Sequence, residues 1–139
     1  MKKTRVMASL LVMLCLSLMP ISVFAAEERS SDQISQYSIQ AIPIPGKINV
    51  TFFIQGPGIV DKIGCESIEV FEKEGTQWEP TESYFEDDDG MSVTNSLRHK
   101  NTILCDAESG VEYKIVVTVF AENDAGRDTR SQTFYVTGK

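Results

Sequence analysis

SGVEYKIVVTVFAENDAGRD, residues 109–128, decides the fold. From Tyr113 onward the residues alternate. Tyr113, Ile115, Val117 and Val119 take one face; Lys114, Val116, Thr118 and Phe120 take the other. Successive side chains of an extended chain point to opposite faces, so this pattern predicts a strand with a buried side. Its residues are mostly β-branched or aromatic, types that pack well on a pleated surface. ENDAGRDTR (122–130) then joins it to a second alternating run, SQTFYVT (131–137).

The same period appears upstream. KINVTFFIQ (47–55) sets Ile48, Val50, Phe52 and Ile54 against Asn49, Thr51 and Phe53, and Gly56–Gly58 (GPG) is expected to end that strand. SIEVFEK (67–73) turns Ile68 and Val70 one way and Glu69 and Phe71 the other. YSIQAIPIP (37–45) is extended, with Pro43 and Pro45 restricting it to a sheet edge. EGTQWEP supplies a turn at Gly75 and the lone tryptophan, Trp78; YFEDDDGMS is a charged loop or edge; NTILCDA (101–107) is a short strand. No window of a dozen residues shows a helical period. Six or seven short antiparallel strands over about one hundred residues point to an all-β sandwich.

The N-terminus stands apart. A basic start (MKKTR), an apolar run broken at Pro20, and Val23 and Ala25 as small exit residues predict a signal peptide over 1–25, cut after Ala25 or Ala26. Residues 26–36 are polar and aperiodic, a flexible lead-in to a domain at 37–139. Cleavage removes Lys2, Lys3 and Arg5 and no acid, so the mature chain keeps ten of 13 basic residues against 20 acidic ones, net −10. Such a surface repels phosphate backbones and anionic membranes, which argues against nucleic-acid and lipid-surface partners. The expected location is extracellular, with cell-surface retention open and no covalent anchor in view.

The run GVEYKIVVTV…AENDAG resembles the corner, strand F and F–G turn of fibronectin type III domains, which belong to the immunoglobulin-like sandwiches. The resemblance extends over about Tyr37–Thr137 and implies seven antiparallel strands. Tyr113 would be the corner tyrosine, its ring buried and its hydroxyl bonded to upstream backbone. Two features depart from the pattern: the run from Tyr113 to Gly126 is two residues longer than usual, and Phe52 stands where strand B usually has tryptophan. The chain as a whole is also similar to small exported single-domain Gram-positive proteins, a likeness that brings no activity with it.

Within that fold, strands C (67–73), F (112–121) and G (131–137) share a sheet. Phe71, Val116, Phe120 and Tyr135 would then form one outward apolar strip, the kind of surface that often marks a contact site. The competing expectation is that Trp78 or the lead-in covers it. Cys65, at the start of strand C, and Cys105, late in strand E, would lie about 20 Å apart at opposite ends of the sandwich. A bridge tolerates about 7 Å between Cα atoms, so two buried, reduced thiols are expected instead of a Cys65–Cys105 disulfide.

Chemistry is sparse. His99, the one histidine, is flanked by Arg98 and Lys100 and has no carboxylate beside it in sequence to orient it, so no catalytic constellation is expected. Asp87 and Asp89 precede Gly90 at EF-hand spacing, but Phe85 occupies the first ligand position, leaving them at most a loose calcium clip and no expected metal or cofactor. Gly126-Arg127-Asp128 has the wrong order for an adhesion tripeptide. The expectation is a small, secreted, non-enzymatic module that contacts a protein or glycan through the C–F–G face. Self-association, or an inhibitor or effector acting through its loops, are the alternatives.

Overall fold

The computed structural model describes residues 32–139. The expected signal peptide, its cleavage point and residues 26–31 of the lead-in lie outside the described residues. Six strands run in order: β1 Gln36–Ile44, β2 Lys47–Glu74, β3 Gln77–Phe85, β4 Ser92–Asp106, β5 Glu112–Asn123 and β6 Gly126–Thr137. Every pairing is antiparallel, and no helix occurs among the described residues.

β2 organises the sheet. Its first half, Lys47–Gln55, has β1 on one edge and Arg98–Asp106 of β4 on the other. Its second half has β5 on one edge, and on the other the start of β4 followed by β3. β6 continues the sheet beyond β5. The sheet curls, so the inward faces of both halves meet in a single sandwich-like core. Ile48, Val50, Phe52 and Ile54 from the first half join Ile63, Cys65, Ile68 and Val70 from the second, with Ile115, Val117 and Val119 of β5. Each of these side chains is fully buried, and at about 25 cal/mol per Å² of apolar surface they supply most of the drive to fold.

Gly56–Gly58 do not end the strand. The backbone stays extended through them, and they mark a break in register between Gln55 and Val60 along β4. Pro57 has no N–H to give a ladder, so the bend falls where pairing costs least. The two expected strands are thus one, which brings the count to six. A second irregularity, between Cys65 and Ser67 along β5, leaves Glu66 as the extra residue. It switches the inward positions from odd (63, 65) to even (68, 70). β4 is also longer than NTILCDA alone, because Ser92–Lys100 has too many charged and polar residues for its alternation to show.

The lead-in is tied down from Gln33. Gln33 and Ile34 are buried, the Ser35 amide donates to the Gln55 carbonyl at 2.8 Å, and the Gln33 amide donates to the Asp128 carboxylate at 2.8 Å. The folded unit therefore begins a few residues before Tyr37.

Gly64 sits where β2 pairs with β4 at Ser92 and with β5 at Phe120 at once. A Cβ built there would lie 2.2 Å from the Met91 carbonyl oxygen and 2.6 Å from Ser92 Cα, both backbone atoms that cannot step aside. Gly64→Ala is expected to cost about 3 kcal/mol or more, read as a lowered urea midpoint. Gly58→Ala, where a Cβ would meet nothing within 4 Å, is the control expected to stay within about 0.5 kcal/mol of the parent. Equal midpoints for the two variants would contradict the crossing at Gly64.

Candidate functional site

Four strands present one outer face: β3, the second half of β2, β5 and β6. Their register lays the outward side chains in rows. At the lower end Trp78 faces Lys73, with Glu112 and Thr137 beyond. Next come Pro80, Phe71, Lys114 and Tyr135, then Ser83, Glu69, Val116 and Thr133. Gly64, Phe120 and Thr129 follow higher up, and Lys62, Glu122 and Arg127 close the upper end. The expected residues Phe71, Val116, Phe120 and Tyr135 do share this face, but they do not form an exposed strip.

Phe120 is the main correction. It lies on the outer side of β5 yet is fully buried, because the Arg127 guanidinium stacks 4.1 Å above its ring. The β5–β6 turn sets Arg127 opposite Glu122, whose carboxylate accepts from Nε at 3.2 Å. Glu86, in the turn after β3, takes both terminal nitrogens at 3.0 Å in a bidentate fork. Glu66 completes the set at 3.0 Å, aimed there by its place as the extra residue of the β2 irregularity. Lys62 pairs with Glu86 at 2.9 Å and Asp87 at 3.1 Å. Four carboxylates thus surround two cations, and the upper end is sealed and acidic. The Arg127 fork, helped by Lys62, holds the Glu86 carboxyl down at about 2. The same carboxylates raise the Arg127 and Lys62 values, Glu86 foremost for each.

The lower end is aromatic and cationic. Trp78 and Tyr135 reach toward each other from the two outer strands of the sheet until their rings lie 5.7 Å apart. Beneath them Lys114 lies 4.6 Å from the Phe71 ring and 5.7 Å from Trp78, which leaves Phe71 and Val116 only half-buried, not open. Lys73 sits 5.9 Å from Trp78 and pairs with Glu112 at 3.0 Å. Tyr135 alone of the four expected residues is broadly exposed, at 68%. A cleft of about 250 Å³ opens here, lined by Lys73, Trp78, Glu112, Tyr113, Tyr135, Val136 and Thr137. Trp78 does cover part of the strip, and in doing so it forms the wall of this cleft.

The remaining candidates lie elsewhere. Tyr113 is buried, and its hydroxyl accepts from the Glu108 amide at 2.7 Å. Gly138 packs so closely on this corner that a Cβ would fall 2.0 Å from the Glu108 carbonyl oxygen. Cys65 and Cys105 are buried and unbridged, and Cys105 lies beside Ile48 at the far end of β2 from Cys65. Burial pushes each thiol up to about 12; the Cys65 thiol donates to the Ser67 and Thr118 carbonyls at 3.3 Å, and the nearby Glu82 carboxylate adds to the rise at Cys105. His99 bonds the Gly90 carbonyl at 2.7 Å and packs on Phe52. Asp87 is engaged by Lys62, and among the described residues no group of three or more His, Cys, Asp or Glu converges to hold a metal ion. Sequence reasoning missed Lys73, Lys114, Arg127 and the glutamates that hold Arg127. Alternation put Lys114 on the right face, but nothing local signals the long-range partners of Arg127.

No protein-family model matches the chain, and no curated protein matches it. Among solved structures the chain is similar to Spo0M, the sporulation control protein from Bacillus subtilis, at 11% identity and a TM-score of 0.41. The likeness covers 74% of this chain and 49% of that one, so the chain spans about half the length of that protein. A likeness this loose carries no argument about fold family or activity.

The sealed upper end has a pH signature. Glu86 is depressed in the fold from an ordinary 4.5 to about 2. Its contribution is therefore complete above about pH 4.5 and is lost as pH falls toward 2. The group is partly open to water, so screening reduces the contribution to about 1 kcal/mol. Glu86→Gln is expected to lose that amount at pH 7 and to converge on the parent as pH approaches 2, in paired urea titrations. A constant gap between the two curves across that window would contradict the ion-pair assignment.

Proposed function

We propose that this chain is a fibronectin type III-like sandwich of the immunoglobulin-like class and works as a secreted, non-enzymatic binding module that takes a glycan in the Trp78–Tyr135 cleft. Three features support the fold reading: β2 serving both layers, β5 and then β6 extending the sheet from one edge of its second half, and the Tyr113 hydroxyl bonded to the Glu108 amide. The observation that carries the function is the pair of half-open rings beside a donor–acceptor pair, Lys73 and Glu112.

A sugar ring presents an apolar C–H face and a polar hydroxyl edge. The rings of Trp78 and Tyr135 suit the first, and the Lys73 ammonium, Glu112 carboxylate and Thr137 suit the second. At about 250 Å³ the cleft is smaller than the roughly 300–1,000 Å³ typical of drug-sized ligands, so it suits one ring of a longer polymer rather than a whole small molecule.

Self-association is a second reading, favoured by a different face. On the outer side of β1–β2–β4, Ile42 and Leu104 are 52% and 53% exposed and flank Asn49. The Asn49 side-chain oxygen is shut off from water and has no hydrogen bond among the described residues.

Trp78 is the one tryptophan in the chain, so its fluorescence reports on the cleft directly. Titration with a panel of neutral and acidic oligosaccharides is expected to change its emission saturably for at least one of them. Tyr135→Ala should weaken that ligand about tenfold, consistent with the loss of one stacking surface worth about 1–1.5 kcal/mol. Silence across the panel, with sedimentation showing a concentration-dependent dimer, would favour the Ile42–Leu104 face instead.

A further inference from the structure

The outer face carries four cations that its rows bring together: Lys62, Lys73, Lys114 and Arg127. Three of them are answered by carboxylates, Lys62 by Glu86 and Asp87, Lys73 by Glu112, and Arg127 by Glu66, Glu86 and Glu122. Lys114 has no carboxylate within 4 Å among the described residues. Its ammonium instead lies over Phe71 and Trp78 and beside Tyr135, its direct partner across the β5–β6 ladder. Other lysines and arginines of the chain also lack an ion pair, but of the four cations on this face Lys114 alone does, and it is the one that lies over the rings.

The charge along the face is therefore divided. The upper end has four carboxylates around two cations, and the lower end has two cations against Glu112, with Glu69 in the row between the two ends. An anion approaching this face is repelled at the Arg127 end and drawn to the Trp78 end. The rings beside Lys114 fix the rest of the chemistry. They offer stacking surface and few hydrogen-bond partners, so the anion that suits them is attached to a ring with an apolar face.

We infer that the occupant of the cleft is an acidic sugar, a hexuronate within a polymer. Its ring stacks on Trp78 and Tyr135, its hydroxyls meet Lys73 and Glu112 of the lining, and its carboxylate reaches past the lining to the Lys114 ammonium, 5.7 Å from the Trp78 ring. This rests on the glycan reading above and narrows it. Lys114 serves as the specificity residue, and the aromatic pair supplies affinity that every pyranose shares. A charge-assisted hydrogen bond is worth about 1.5–3 kcal/mol, which corresponds to at least tenfold between an acidic ring and its neutral counterpart.

The test uses galacturonate and alginate oligomers, each beside its fully methyl-esterified form, which keeps the ring and removes the charge. Trp78 emission is the readout. At least one acidic oligomer is expected to bind at least tenfold tighter than its ester, with the advantage shrinking as salt is raised. Lys114→Met keeps most of the apolar stem. It should bring the acidic form to the affinity of the ester and leave the ester unchanged, while Lys100→Met, on the opposite half of the sheet, should change neither. A urea titration checks that each variant is folded. Equal binding of acid and ester, or an acid preference that survives Lys114→Met, overturns the inference and leaves glycan binding standing. Binding of neutral oligosaccharides alone does the same. No response to any sugar, acidic or neutral, removes both.

Discussion

Both layers of this molecule depend on one strand. β2 hydrogen-bonds to β1, β3, β4 and β5, four of the five other strands, and it can do so only because its two halves lie in different parts of a curled sheet. The bend needs three things in sequence: a stretch at 56–59 that leaves the β4 ladder, a residue at 64 with no side chain, and an extra residue at 66. Each is a local defect in strand regularity. Together they let Phe52 and Ile68, one from each half, face a single core.

The same defects position the outer face. Glu66 points at Arg127 because it is the residue the β5 ladder skips, and Lys62 flanks the network because it lies just before the crossing. Below the crossing β2 runs regularly against β5 and sets Phe71 beside Lys114. Cation–ring contact occurs at both ends of the face with opposite results. At Phe120 the cation is anchored by three glutamates, so the ring is closed off. At Trp78 the nearby cations are lysines held by one carboxylate or none, and Tyr135 beside it stays broadly exposed.

Sequence reading reached what depends on neighbours along the chain. The alternation from Tyr113 to Val119 fixes that strand and its buried side. The same rule places Phe120 on the correct face, yet its exposure is decided by Arg127, seven residues on and across a turn, and by acids from β2 and the β3–β4 turn. No periodicity carries that information. Gly-Pro-Gly commonly ends a strand, whereas here the chain stays extended and only the pairing lapses. The sequence offers Trp78 only as a cover for the strip. Its approach to Tyr135 needs the register of four strands, which a single sequence does not display.

The central claim is that one face is sealed over Phe120 and open at Tyr135. Hydroxyl-radical footprinting read by mass spectrometry compares the two rings in one experiment on the intact folded protein. Tyr135 is expected to oxidise rapidly, and Phe120 only after the protein unfolds. Oxidation of Phe120 at a rate comparable to Tyr135 in the native state would mean that Arg127 does not close the upper end, and the division of the face into a lid and a cleft would be wrong.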